Sequence, residues 1–221
     1  MKVFKIFLFI LGILFASVLL QIPLTLAVFT KGINDWLRMP ILLGLGSFLY
    51  FILWKFRAHM KIESIPARLN PLSLFKVFSL TLLVLGLEIV INLILAGIFH
   101  VDLDMSSRHT IENVLFSKNF LLIFISLHFL APASEELLFR GIFQEYLLQH
   151  FPKRAIVSIL SCAFLFAFAH TYDFLSIKTY LMMISGICFS YIYWKNRDIR
   201  WPIFSHALYN LAITILTLLF K

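Results

Sequence analysis

The chain has 221 residues, of which 61% are apolar and 14% charged, with a mean hydropathy of +0.94 and a formal net charge of +8. Soluble domains are about half apolar and about a quarter charged, so this composition excludes a soluble globular protein. The cations lie in short segments between apolar runs, which argues against nucleic acid as a partner. Cys162 and Cys188 lie inside apolar runs and indicate neither a disulfide framework nor a Cys-rich zinc site.

Seven apolar segments follow one another along the chain. A helix needs ~20 apolar residues to cross a ~30 Å hydrocarbon layer, and in lipid every backbone polar group must find a partner within its segment. We therefore predict an all-α, polytopic bundle of seven transmembrane helices, forming a single integral membrane domain over residues 1–221. An eighth helix follows if Pro132 divides its segment into two. The segments cover about residues 5–29, 39–54, 74–99, 120–149, 155–170, 179–194 and 202–220.

The distribution of Lys and Arg residues predicts the orientation of the chain. With a cytoplasmic N-terminus, the inner segments hold twelve of these residues and the outer segments six. Cytoplasmic loops of membrane proteins are richer in Lys and Arg, so this orientation is preferred. A short chain without a eukaryotic targeting signal favours a bacterial plasma membrane. We therefore predict an integral protein of that membrane with its N-terminus in the cytoplasm.

Ionisable side chains lie inside the apolar segments of the second half of the chain. Each costs about 2.5–3.5 kcal/mol near the bilayer centre, so a cluster of them needs a compensating reason. Glu136 and Arg140 are four residues apart with the acid first, which is the favourable order for an ion pair on one helix face. Glu135 is turned by about 100° from Glu136 and cannot easily share the same guanidinium. One carboxylate is therefore neutralised locally, and its neighbour is available for another role.

Histidine and asparagine residues on two later segments complete a polar set. His170 ends a run with two alanines, which would let a neighbouring helix approach closely. His206 and Asn210 are four residues apart on the last segment and share a face. A carboxylate, two imidazoles and an amide can polarise a water molecule and stabilise an oxyanion. We therefore expect these three residues to converge with Glu135 on one water-accessible cavity.

Three motifs occur in a fixed order on successive segments: Glu135-Glu136-x-x-x-Arg140, Phe166-x-x-x-His170 and His206-x-x-x-Asn210. In this combination the chain resembles the CPBP family of intramembrane proteases, the CAAX prenyl endopeptidases and their bacterial relatives known as Abi or bacteriocin self-immunity proteins. The resemblance covers about residues 120–215, whereas residues 1–118 match only as generic membrane helices. It implies that Glu136 and Arg140 support the site structurally.

The resemblance implies a membrane-embedded endopeptidase that hydrolyses a peptide bond without an acyl-enzyme. Glu135 would be the general base that takes a proton from water, and His170 would hold the same water. His206 and Asn210 would stabilise the developing oxyanion. The implied partners are membrane lipid and a peptide or protein substrate that is either prenylated or carries a leader peptide.

The metal dependence of such an enzyme stays open at this point. Glu135 or Glu136 together with His170 and His206 could supply three zinc ligands and leave a fourth position open. However, the chain has no His-Glu-x-x-His pair, and the carboxylates and the two histidines come from three different segments. We therefore favour a mechanism without a cofactor and keep zinc as the alternative.

Straight helices create a conflict within this site. His206 would lie about one turn inside the cytoplasmic boundary, whereas His170 would lie roughly 22 Å away, near the outer side. Both rings could then not reach Glu135. A bend at Pro132, a helix that starts below the membrane surface, or a re-entrant segment around residues 150–170 would reconcile the two positions.

Two other functions are compatible with the same fold. A non-enzymatic bacteriocin immunity or binding protein would work by sequestration, and replacing Glu135 by Gln would leave it unaffected. A small proton-coupled transporter would use intramembrane carboxylates as proton carriers, although the chain has no repeated halves. We further expect Glu145 to be solvated near the inner end of its helix. Glu88 and Asn92 form a second polar pair, which no family motif covers and which we leave outside the site.

Overall fold

The computed structural model describes residues 2–29, 35–60, 72–99 and 120–219. Over these ranges the chain forms seven helices and no strand, which confirms the predicted all-α class. The helices are α1 (Lys2–Phe29), α2 (Asp35–His59), α3 (Leu74–Phe99), α4 (Phe120–His150), α5 (Ala155–Thr171), α6 (Ile177–Asn196) and α7 (Arg200–Leu219).

Five of these helices, α1 to α4 and α7, are long and apolar enough to cross a membrane. The shorter α5 is also apolar. Large apolar side chains point away from the bundle, as shown by Phe15, Phe75 and Leu83, which are 67%, 77% and 67% exposed. Such a surface is stable in lipid and unstable in water, so the chain is an integral membrane protein.

Helix α4 runs without a break past Pro132, and the alternative with eight helices is not realised in residues 120–150. The helix widens into π-helical turns at Ser126–Leu130 and again at Leu137–Gln144. In the first of these turns, the N–H group of Ala131 donates to the carbonyl oxygen of Ser126, five residues back. The wider turn accommodates the ring and the missing N–H group of Pro132, so the helix continues.

Contacts between helix ends are consistent with alternating, antiparallel helices. Near the end of α2, Arg57 Nε donates to the carbonyl oxygen of Gly141 in the second half of α4, at 2.9 Å. At the end of α6, the Asn196 side chain binds both backbone polar groups of Leu72, which precedes α3, at 2.8 and 3.2 Å. A Cβ atom at Gly141 would also lie 3.6 Å from the side chain of Ile199, which follows α6, so the ends of α2 and α6 and the start of α3 lie on the same side of the bundle.

Glu145 is fully buried, so the prediction that it is solvated is wrong. Its carboxylate accepts a hydrogen bond from the Tyr193 hydroxyl at 2.7 Å and one from Arg197 Nη2 at 2.7 Å. Burying a carboxylate between two helices is costly, and a cation with a hydroxyl donor offsets that cost. Both partners lie about fifty residues further along the chain, where a local pattern does not reveal them.

Small residues set the distance between α5 and α6. A Cβ atom at Gly186 would lie 3.1 Å from the carbonyl oxygen of Ala163 and 3.2 Å from its Cα atom. A Cβ atom at these distances would be tighter than most real contacts, so glycine lets the two backbones come this close without displacement. This contact fixes α5, which carries His170, against α6.

Candidate active site

Glu135, His170 and His206 meet at one point in the bundle. The Oε2 atom of Glu135 lies 3.5 Å from His170 Nε2 and 3.9 Å from His206 Nε2. Their side chains are 14%, 23% and 7% exposed, so the cluster is largely buried but still reaches the surface at His170. The structure thus brings together three of the four residues that the sequence suggested, from α4, α5 and α7.

The two histidines can meet because α5 and α7 start at different distances from the site, as their shared neighbour Phe166 indicates. Its centroid lies 4.5 Å from that of His170 and 5.6 Å from that of His206. Phe166 is eleven residues after the first residue of α5, and His206 is six residues after the first residue of α7. At 1.5 Å per residue, α5 therefore starts about 7 Å further from the site than α7 does. The sequence predicted that His170 and His206 lie too far apart because both helices were taken to start at the same depth in the membrane. That assumption is wrong.

The backbone of α5 orients the His170 ring. His170 Nδ1 lies 2.8 Å from the carbonyl oxygen of Phe166, one turn earlier in the helix. A carbonyl oxygen can only accept, so Nδ1 carries the hydrogen and Nε2 of the neutral ring presents a lone pair. In a neutral ring this nitrogen and the Glu135 carboxylate oxygen are both acceptors, whereas a protonated ring donates to the carboxylate. A water molecule beside the neutral pair can donate one hydrogen to each of the two atoms.

A second carboxylate orients the His206 ring. His206 Nδ1 lies 2.8 Å from Glu136 Oε1, and the imidazole stacks on the Phe189 ring at 4.8 Å with an interplanar angle of 17°. A carboxylate on one ring nitrogen fixes the direction of the other. Here the other nitrogen, Nε2, is directed at Glu135.

The guanidinium of Arg140 holds Glu136 in place, and the ion pair expected from the sequence is present. Arg140 Nη1 donates to Glu136 Oε1 at 2.9 Å, with both side chains fully buried. Nη2 donates to the carbonyl oxygen of Gly186 at 3.0 Å, and Nε lies 3.3 Å from Ser190 Oγ. The guanidinium carbon also lies 4.5 Å from the centroid of Phe166, a cation–π contact. Arg140 therefore connects α4 to α5 and α6 beside Glu136 and Phe166, both of which contact His206.

Asn210 makes a different contact from the other three predicted residues. Its Nδ2 atom donates to the carbonyl oxygen of Leu127 in α4 at 2.9 Å. An amide carries two hydrogens on this nitrogen, so the contact commits one of them and leaves the other for a further acceptor. The described contact of Asn210 is thus with the backbone of α4 rather than with the carboxylate of Glu135.

The separations of these side chains bear on the zinc alternative that the sequence left open. Glu135, His170 and His206 are of the ligand types that a catalytic zinc site uses, but ligands at 2.0–2.2 Å from the ion lie roughly 3.3–3.5 Å apart. The 3.9 Å separation of His206 Nε2 from Glu135 Oε2 is wider than that. Over residues 2–29, 35–60, 72–99 and 120–219, no group of three or more His, Cys, Asp or Glu side chains is arranged to hold a metal ion.

Glu88 is the residue near the site that the sequence motifs missed. It is 5% exposed, and its carboxylate accepts hydrogen bonds from the N–H group of Ser185, at 2.8 Å, and from the hydroxyl of Tyr209. Tyr209 lies three residues after His206 in α7. The available signal was the presence of a carboxylate inside the apolar span of α3, where an ionisable group is costly and needs a role.

Comparison with known families agrees with this geometry. Residues 117–212 match the family described as type II CAAX prenyl endopeptidase, Rce1-like. No curated protein and no solved structure gives a significant match to the chain. The matched segment contains Glu135, His170, His206 and their buried supports, whereas α1, α2 and α3 lie outside it. Residues 117–212 therefore carry an Rce1-like type II CAAX prenyl endopeptidase domain, which is a domain of the CPBP/CAAX protease family.

Proposed function

We propose that this chain is an intramembrane endopeptidase in which Glu135 and His170 activate a water molecule. The observation that supports this proposal most directly is the 3.5 Å separation of His170 Nε2 from Glu135 Oε2. When the His170 ring is neutral, both atoms are hydrogen-bond acceptors, so a water molecule that donates to the carboxylate and to the ring would be held by both. The same two contacts would polarise its oxygen toward a substrate carbonyl.

Hydrolysis would then proceed without a covalent enzyme intermediate. Glu135 takes a proton from the water while the water oxygen attacks the carbonyl carbon of the scissile peptide bond. The carbonyl oxygen becomes an oxyanion in the tetrahedral intermediate. When the C–N bond breaks, Glu135 returns the proton to the leaving amine, and the products are a new carboxyl group and a new amino group. A positioned general base contributes about 10²–10⁴ in rate.

His206 and Asn210 would stabilise the oxyanion. The Glu136 carboxylate accepts from His206 Nδ1, so the single proton of a neutral ring lies on Nδ1. His206 therefore donates from Nε2 to the oxyanion only when both ring nitrogens are protonated. Asn210 has one amide hydrogen beyond the one that binds Leu127. Each such donor is typically worth about 10²–10³ in rate. Glu136 and Arg140 would act by holding the His206 ring in place.

The family description makes a prenylated peptide the first substrate to test. A C-terminal Cys-a-a-X sequence carries its prenyl group on the cysteine, which anchors it to a membrane and brings the peptide to an enzyme embedded there. A membrane-bound leader peptide is the other substrate class that we propose. We also retain the orientation derived from the sequence, with a cytoplasmic N-terminus in a bacterial plasma membrane.

The decisive variant is Glu135→Gln, which keeps the size and polarity of the side chain but removes its basicity. The purified protein is reconstituted in liposomes with a farnesylated Cys-a-a-X peptide, and mass spectrometry detects the product. We expect wild-type protein to release the C-terminal fragment and the folded variant to lose at least about 100-fold in rate. Equal cleavage by both proteins would refute the proposed role of Glu135. A biological phenotype that survives the substitution would favour the non-enzymatic immunity protein.

A further inference from the structure

We infer, building on the proposed function, that Glu88 and Tyr209 are positioning residues for His206. Helix α3, outside the matched family segment, would thereby take part in the site. The Glu88 carboxylate bridges the two helices that carry His206 and the aromatic ring stacked on it. Neither residue belongs to the motifs that define the site.

The carboxylate of Glu88 holds α6 and α7 at the same time. One oxygen, Oε1, accepts from the N–H group of Ser185 in α6 at 2.8 Å. The other oxygen, Oε2, accepts from the hydroxyl of Tyr209 in α7. The Glu88 side chain is buried, the bond to Ser185 is buried and the bond to Tyr209 is partly buried, so both form in surroundings of low polarity, where hydrogen bonds are stronger than in water.

These two attachment points each lie one turn from one of the two stacked rings, Phe189 and His206. Ser185 is four residues before Phe189 in α6, and Tyr209 is three residues after His206 in α7. The Tyr209 ring also meets the Phe189 ring edge-on, at 6.0 Å and 84°. If the bridge is lost, one of the contacts that fix α7 relative to α6 is gone, and we expect a small displacement of the Nε2 atom of His206 relative to Glu135. Catalytic groups must be held to within about 0.5 Å, so a small shift matters.

A hydrogen bond between two neutral side chains also joins α3 to α7, which indicates that the Glu88 carboxylate does more than join these two helices. Thr81 Oγ1 in α3 lies 2.6 Å from Ser205 Oγ in α7, directly before His206, and both hydroxyls are buried. Hydroxyl groups alone therefore suffice to connect α3 with α7. An ionisable residue two turns further along α3 carries a higher cost in a membrane, which a role in the site would explain.

The test compares two matched tyrosine variants. Tyr209→Phe removes the hydroxyl that binds Glu88, and Tyr193→Phe removes the hydroxyl that binds the buried Glu145, a contact that does not include α3 or α7. With the farnesylated peptide, we expect Tyr209→Phe to lower kcat about 10-fold with KM within about twofold of wild type, as a misplaced group does. Tyr193→Phe should keep the wild-type kcat. Equal kcat values for the two variants would overturn the inference.

A spectroscopic readout separates this inference from the proposed function. Proteins labelled with 15N-histidine are compared in nanodiscs, with the His206 ring signals assigned by their loss in His206→Gln. We expect these signals to shift in Tyr209→Phe and in Glu88→Gln, but not in Tyr193→Phe. If wild-type protein cleaves no peptide, the proposed function fails while the shifts still decide the role of Glu88. Unchanged His206 signals in folded Tyr209→Phe protein would refute that role, whatever the activity.

Discussion

The amide group of Asn210 in α7 donates to the carbonyl oxygen of Leu127 in α4, at 2.9 Å. Two residues of α4 could otherwise supply an N–H group to that carbonyl. Ala131 donates instead to Ser126, and Pro132 has no N–H group. The proline therefore creates the acceptor that anchors Asn210, four residues from His206.

Replacing Asn210 by Asp tests this anchor. An ionised carboxylate has no hydrogen to donate to Leu127 and none for an oxyanion, so we expect kcat to fall about 10²–10³-fold. Loss of this partly buried hydrogen bond should also lower the free energy of unfolding, by about 1 kcal/mol. Activity on the farnesylated peptide and thermal unfolding in detergent measure the two effects.

The matched control is Asn196→Asp, which removes the amide donor to the Leu72 carbonyl at the far end of α6. It should reduce stability while the folded protein keeps its kcat. If Asn210→Asp behaves in the same way, Asn210 supports the fold and has no role in the reaction.

Arg140→Gln tests the buried ion pair. The substitution leaves Glu136 charged without its cation, and breaking a buried pair in this way costs about 3–5 kcal/mol. Arg200→Gln is the control, because Arg200 pairs with Asp198 on the surface with its side chain 86% exposed. We expect the thermal unfolding temperature to fall strongly for Arg140→Gln and to stay unchanged for Arg200→Gln. Similar unfolding curves for the two variants would contradict the central position of Arg140.

Gly186→Ala tests the close packing of α5 on α6. The added Cβ atom would approach the backbone of Ala163 to 3.1–3.2 Å, so the helices must separate, at a cost of about 1–3 kcal/mol. Because α5 carries His170, we expect kcat to fall as well. Gly86→Ala in α3 is the control, since its Cβ atom would meet nothing within 4 Å. Gly86→Ala should leave kcat unchanged. Its unfolding temperature should stay the same or rise slightly, because alanine is more stable than glycine within a helix.

Metal removal tests the mechanism without a cofactor. We expect protein treated with a membrane-permeant chelator and dialysed into metal-free buffer to retain its cleavage rate. Metal analysis of the same sample shows whether removal was complete. Activity that is lost on chelation and restored by stoichiometric zinc would instead support the zinc alternative, with His170 and His206 as ligands.

Features that depend on local periodicity could be predicted from the sequence. The seven helices match seven apolar runs, and the Glu136–Arg140 pair follows from the four-residue spacing. The meeting of Glu135 with the two histidines was expected from the family motifs and is present in the structure.

Features that depend on how far one helix is displaced along another could not be predicted. The difference in depth between α5 and α7, visible at Phe166, has no local signature. The burial of Glu145 depends on Arg197 and Tyr193, which are distant in sequence. The contact of Asn210 depends on a π-helical turn, which shifts hydrogen bonding in α4 by one residue.

The central claim is that Glu135 and His170 act on a single water molecule, and a double-mutant cycle tests it most directly. The cycle measures kcat for Glu135→Gln, for His170→Gln and for the double variant. His150→Gln is the control, because His150 makes the same contact with the backbone one turn back but lies exposed at the end of α4. If both groups hold the same water, the double variant should be about as slow as the slower single variant, since residues that act as a unit are not additive. Losses that multiply, or a wild-type kcat in either single variant, would contradict the account.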